Sequence, residues 1–183
     1  MDNTYIALLR GINVGGKNKV VMSELKKCLE VLGYSNVQTY IASGNVILDS
    51  DKSSLEIKTQ IEKVLPEKFE LTAELIKVLV LPRDQFQEII IQKPEGFGDQ
   101  PEVYHSDAIF LMEKTAEQVL SVFDPREGVD KIWPGNGVIY SQRLSAQRTK
   151  SRLNKAIGTP EYKFMTIRSW NTVIKLIEIM QNR

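Results

Sequence analysis

The chain has 183 residues, 42% of them apolar and 26% charged, with a net charge of +1 and a single cysteine. That length suits one large domain or two small ones with cores of their own, and one cysteine excludes an internal disulfide framework or a thiolate zinc cluster. No apolar run approaches the roughly 20 residues of a membrane span, and the opening MDNTYIALLR carries an acidic residue where a secretion signal carries basic ones, so a cytoplasmic protein without a membrane partner is expected.

Residues 4–10 read as a strand whose apolar run, Ile6 to Leu9, ends at Arg10. The next ten residues hold no helical period but contain Gly11, Gly15 and Gly16 with Lys17 and Lys19. Glycines let the backbone fold back and turn N–H groups outward, so this loop is the first candidate for an anion site. A helix is predicted over 22–32, with Leu25, Cys28, Leu29 and Leu32 on one stripe and Gly33 as its stop. Cys28 is thereby expected in the core, as an unreactive thiol.

Strands at 37–42 and 46–49 come next, joined by Ser43-Gly44-Asn45, where glycine and asparagine are expected to supply positive φ. Ser53 and Glu56 form a capping box for a helix with Ile57, Ile61, Val64 and Leu65 inward. A fourth strand is predicted over 71–81, ended by Pro82. A short helix capped by Asp84 and Gln87 then buries Phe86, Ile89 and Ile90. Residues 93–102, KPEGFGDQPE, hold two glycines and two prolines without periodicity and read as a linker.

The order then repeats. A strand at 103–112 leads to a helix capped by Thr115 and Gln118, then to a hairpin of 129–133 and 138–141 around Pro134-Gly135-Asn136-Gly137. A helix is predicted over 150–157 with Leu153, Ala156 and Ile157 inward, then a strand over 162–168. Ser169 caps a last helix with the stripe Trp170, Val173, Ile174, Ile177 and Met180. The fold class predicted is α+β: two tandem ferredoxin-like (βαββαβ plus helix) halves with antiparallel sheets, residues 1–92 and 103–183 about the 93–102 linker. In that topology the loop after the first strand and the hairpin after the second emerge at one end of the sheet. Arg10, Asn13, Gly15, Gly16, Lys17, Lys19, Ser43 and Asn45 are therefore expected to form one ligand-binding rim.

Charge adds a second candidate surface. Residues 141–183 hold nine Lys/Arg against two Glu, a net of +7 that leaves −6 for residues 1–140. Arg148, Lys150, Arg152, Lys155 and Arg168 are the candidate basic patch, with Trp133, Tyr140, Tyr162 and Trp170 as aromatics near it. Basic residues interleaved with aromatics suit single-stranded nucleic acid, although no RNP-type aromatic motif is present. The plain alternative is a solvated basic face.

Residues 11–18, GINVGGKN, match the nucleotide-binding pattern GxxxxGK[ST] except that Asn18 stands where the Mg²⁺-binding hydroxyl belongs. A P-loop also needs a parallel sheet and a helix beginning at the lysine, and neither is predicted here. His105 is the only histidine, so no His-based metal pair is available, and a structural, partly exposed place in a strand is expected for it. No metal site, cofactor or catalytic residue is singled out, and no oligomeric state is specified.

ALLRGINVGGKNKV, ELKKCLEVLGYSNVQTYIASGNV, KSRLNKAIGTPEY and TIRSWNTVIKL resemble the bacterial family called domain of unknown function 1697. The resemblance implies two ferredoxin-like halves and carries no catalytic residue with it. Ser169 stands where that family usually has asparagine, and Val21 where a polar residue is common; serine caps a helix equally well. The expected function is a binding module for a phosphorylated or other anionic ligand, either a small molecule or nucleic acid. The alternatives are a nucleotide-dependent enzyme using the Walker A-like loop and a protein-interaction scaffold.

Overall fold

The structure, a computed structural model, describes residues 3–72 and 76–183. Packing divides the chain into two compact units, Met1–Gln87 with Glu178–Arg183, and Glu88–Ile177. Each contains one four-stranded antiparallel sheet with helices.

The first unit runs β1 (Asn3–Arg10), α1 (Met22–Val31), β2 (Ser35–Tyr40), β3 (Asn45–Ser50), α2 (Ser54–Lys68) and β4 (Lys77–Pro82), in the sheet order β2-β3-β1-β4. Alternate β1 residues Tyr5, Ala7 and Leu9 meet Leu25 and Leu29 of α1 and Ile57, Ile61 and Leu65 of α2 in one core. The period of two in the strand and of 3.6 in the helices meet on that face. The capping box of α2 is formed: Ser53 Oγ accepts the Glu56 N–H, and a Glu56 carboxylate oxygen accepts the Ser53 N–H at 2.8 Å. The Ser53 hydroxyl also donates to that carboxylate at 2.6 Å, and this bond together with the one from the Ser53 N–H holds the exposed Glu56 carboxyl below its usual range. Gly33, at φ 90°, takes the left-handed conformation that stops α1.

The structure shifts several predicted boundaries. β2 begins two residues early and ends at Tyr40, so Ile41 and Ala42 belong to the turn. Positive φ there falls on Gly44 (83°) and on Ile41 (49°); Asn45 is instead the first, fully buried residue of β3. The strand predicted over 71–81 starts only at Lys77, and residues 73–75 of it lie outside the described residues. Cys28 is half-buried on α1, and burial pushes its thiol up.

Helix α3 (Arg83–Ile91) spans the division between the units. It starts one residue before Asp84, whose carboxylate accepts the Gln85 N–H. Residues 178–183, the last turn of α5 (Trp170–Gln181) together with Asn182 and Arg183, belong to the first unit. There Arg183 pairs with Asp49 at 3.0 Å and also donates to the Asn36 carbonyl. Asp49 thus serves as an ion-pair partner within a strand.

The second unit has β5 (Tyr104–Leu111), α4 (Ala116–Val119), β6 (Asp130–Gly135), β7 (Val138–Leu144) and β8 (Met165–Ser169), ordered β6-β7-β5-β8. Ile109, Leu111, Ile139 and Met165 pack on one face with Val119, Phe123, Leu153 and Ala156. On residues of the other parity, Phe97 sits edge-on to Tyr140 (5.2 Å), Trp170 (5.0 Å) and Trp133 (6.0 Å). Tyr140 donates its hydroxyl to the Ile89 carbonyl at 2.6 Å, and burial pushes its pKa up to about 12. Residues 93–102 form no helix or strand, yet they deliver Phe97 to this cluster with no exposed surface.

The helix predicted over 150–157 is replaced by 3₁₀ turns at Ser145–Lys150, Leu153–Gly158 and Pro160–Phe164. Leu153 and Ala156 do point inward, but Ile157 is 54% exposed, since a 3₁₀ turn cannot bring residues four apart onto one face. In α5 the buried stripe uses Leu176 in place of Ile174. Among the described residues no helix is long and apolar enough to cross a membrane, and no His, Cys, Asp and Glu cluster could hold a metal.

Candidate functional site

The rim predicted in the first unit is assembled by asparagine side chains. Asn13 Nδ2 donates to the carbonyls of Val20 (3.0 Å) and Ala42 (2.8 Å), and its Oδ1 accepts the Val20 N–H (2.8 Å). Asn18 Nδ2 donates to the Gly11 carbonyl, and its Oδ1 accepts the Thr72 N–H. Both asparagines sit at φ near 50°, a conformation they tolerate better than other chiral residues. Between them Val14 and Lys17 form a one-bridge hairpin whose apex is Gly15-Gly16, with φ of 57° and 75°. Positive φ at both central residues is the primed turn that glycine pairs favour.

The Asn13–Ala42 bond, with the Leu9 N–H donated to the Gly44 carbonyl at 2.8 Å, ties this loop to the β2–β3 turn. The two segments therefore share one end of the sheet. Gly44 is required there, because a Cβ would stand 2.8 Å from Leu9 Cβ and 2.9 Å from Ile12 Cδ1. Ile41 holds φ 49° while half exposed, a strained state for a β-branched residue.

The predicted rim residues divide by role. Asn13 and Asn45 are consumed by the scaffold; Asn45 donates to the Tyr40 carbonyl and to Ser43 Oγ. Gly15, Gly16, Lys17 and Lys19 are exposed, as is Ser43, and Arg10 is half-buried at the end of β1. Arg10 lies directly across the sheet from Lys77, which sequence reasoning did not include. No Asp or Glu occurs in residues 10–20 or 38–48. The loop is no phosphate cradle of the Walker kind, because it turns as a tight hairpin, α1 begins only at Met22, and the sheet is antiparallel.

Of the predicted basic patch, four members reach the surface and Arg168 does not. Arg148 and Lys150 are exposed, whereas Arg152 and Lys155 are engaged by Asp124 at 3.3 and 2.5 Å. Their bonds and charges hold the Asp124 carboxyl below its usual range. Arg168 is 6% exposed within β8, where it donates to Thr166 Oγ1, and burial lowers its pKa to about 10. It cannot belong to an exposed patch.

The same 3₁₀ segment instead roofs a cavity of about 240 Å³ over the second unit's sheet. Antiparallel register sets its floor, since directly paired residues share a face. One row reads Pro134, Ile139, Ile109, Ile167; the next reads Ile132, Ser141, Asp107, Ser169; the last reads Asp130, Arg143, His105. The face thus changes from apolar to charged within three rows. His105 Nε2 lies 3.1 Å from Asp107 Oδ1, and Arg143 Nη2 lies 3.9 Å from Asp107 Oδ2. Burial raises the Asp107 pKa, against the opposing pull of His105 and Arg143. Arg143 Nε and Asp130 Oδ1 are buried without a partner, while Asp130 Oδ2 accepts the Arg126 and Arg152 N–H groups. Sequence reasoning missed this site. The available signal was His105 and Asp107 at i and i+2 on one strand, which the period of two places side by side.

The chain is thus an α+β protein carrying a stapled cationic rim and, in its second unit, a half-apolar cavity with an ionic floor. It belongs to the family described as protein of unknown function DUF1697, whose model matches residues 2–140. A conserved bacterial protein of known structure, SP0830 from Streptococcus pneumoniae, is similar over 98% of this chain and 99% of its own, with a TM-score of 0.82 and 25% identity. None of the curated proteins compared matches the chain. The matched segment contains the whole rim, whereas Ser141, Arg143 and the 3₁₀ roof of the cavity lie beyond it.

Proposed function

We propose that the chain is a binding module for an anionic ligand, recognised through phosphate at the Arg10–Lys19 rim, and that it acts in the bacterial cytoplasm. The two units are read as tandem ferredoxin-like halves of a duplicated domain. The matching sheet orders β2-β3-β1-β4 and β6-β7-β5-β8 support that duplication.

The observation that carries the binding reading is the loop at the end of β1, whose shape the Asn13 and Asn18 side chains fix without using Lys17 or Lys19. Lys17 and Lys19 add two exposed cations on a hairpin already held in shape, so little loop ordering remains to be done on binding. The ligand is a phosphorylated small molecule or the backbone of a nucleic acid, and the two differ in how binding responds to salt.

The test is a titration of the full chain with pyrophosphate and with a labelled single-stranded oligonucleotide at two salt concentrations. A charged hydrogen bond is worth roughly 1.5–3 kcal/mol. The double change Arg10→Met with Lys17→Met should therefore weaken anion binding by well over tenfold, with little change in the urea midpoint. Unchanged affinity, or no binding of either probe by the unaltered protein, overturns the reading.

A further inference from the structure

The cavity on the β5–β7 face is a separate matter from the rim, and its chemistry differs. Its lining contains two fixed charges, Asp107 and Arg143, of opposite sign. A cavity whose fixed charges cancel does not select a simple anion. Apart from His105, Ser141, Asn154 and Tyr162, its remaining wall is apolar, made largely by Ile109, Leu153, Met165 and Ile167.

The two charges are close but not joined. Arg143 Nη2 stands 3.9 Å from Asp107 Oδ2, beyond hydrogen-bond reach, and its Nε is buried with no partner. The guanidinium is therefore under-bonded by the folded chain, and a carboxylate is the group that matches its donor fork. On the other side, His105 occupies Asp107 Oδ1, and the nearest cation to Oδ2 is that same distant Arg143. A second donor, such as an ammonium, would offset the desolvation of this half-buried carboxylate. The volume of about 240 Å³ equals roughly eight water molecules at about 30 Å³ each, room for a ligand of similar heavy-atom count. His105 and Ile157 at the edge are exposed, so the cavity has an open mouth.

We infer that this cavity is a binding site for a small zwitterion with an aliphatic body, of the chemical class of a free aliphatic amino acid. Arg143 takes the carboxylate, Asp107 the ammonium, and the Ile109–Ile167 row the side chain. The charged rows orient the head while the apolar row selects against polar side chains.

Isothermal titration of the full chain with leucine, isocaproate and isopentylamine tests this, since the three share one carbon branch and differ only in charged groups. Leucine should bind at least tenfold more tightly than either analogue. Asp107→Asn should weaken leucine at least tenfold while leaving isocaproate equal or tighter, because it removes the ammonium's partner and the carboxylate's repulsion together. Arg143→Met should abolish leucine binding, and Arg143→Lys should restore part of it. The rim double variant should bind leucine normally, which separates this site from the rim. If Arg143→Met does not fold, the Asp107→Asn comparison decides by itself. Isocaproate binding as tightly as leucine, leucine affinity unmoved by Asp107→Asn, or no binding of leucine, isoleucine or methionine would overturn the assignment.

Discussion

Replacing Asn13 by alanine should destabilise the rim by about 3–4 kcal/mol, and the size of that loss can be worked from its bonds. Asn13 makes three side-chain hydrogen bonds of 2.8–3.0 Å, two to Val20 and one to the Ala42 carbonyl. Each is worth about 1 kcal/mol, less where solvent can replace the partner, which gives about 2–3 kcal/mol for the set. Alanine would also have to hold φ 52°, adding roughly 1 kcal/mol. Asn13→Gly loses the same bonds without that penalty, so it should be the milder change by about 1 kcal/mol. Urea denaturation gives the totals, and hydrogen exchange at the Val20 amide, which donates to Asn13 Oδ1, reports the local event. An Asn13→Ala loss below about 0.5 kcal/mol, or a glycine variant worse than the alanine one, would refute the stapling argument.

Two further outcomes concern other places in the fold. Gly98→Ala would put a Cβ 2.4 Å from Trp170 Cδ1 at a φ of 78°, so thermal melting should show a loss of about 2–4 kcal/mol and weakened burial of the Phe97 cluster. Asp107 has a folded-state pKa above its unfolded value of 3.8, so the native state binds the extra proton in that window. Stability should therefore fall as pH rises from 3.8 through the raised pKa, and Asp107→Asn should remove that part of the pH–stability profile.

What the sequence made legible was what local rules control. The Ser53–Glu56 box, the Leu25–Leu29 stripe and the apolar run Ile6 to Leu9 each arise from a cap, a period or a run of strand formers, and each is seen. The shared end for the loop and the β2–β3 turn came from topology, and the Asn13–Ala42 bond joins them there. The roles inside that loop were not legible. Asparagine that binds a ligand and asparagine that staples a backbone have the same letter, and only the partner's position separates them. Phe97 was hidden because a lone aromatic between glycines has no periodic neighbours. The 3₁₀ segment failed for a different reason: Leu153, Ala156 and Ile157 fit a helical stripe, but Gly158-Thr159-Pro160 allows too few turns for one to propagate. The cavity needed strand register, which pairs His105 with Arg143 across 38 positions of sequence.

The asparagine staples also divide the loop after β1 into positions that tolerate change and positions that do not. At 11, 13, 18 and 20 the backbone or side chain closes rings that no other group in the loop can close, so a change at one leaves carbonyls and N–H groups stranded at several others. At 14, 17 and 19 the side chains project from that frame, while Gly15 and Gly16 belong to it through their positive φ. Positions 14, 17 and 19 can therefore be rewritten in charge, size or polarity while the frame keeps its shape. A fold built this way can change what it recognises without relearning how to fold.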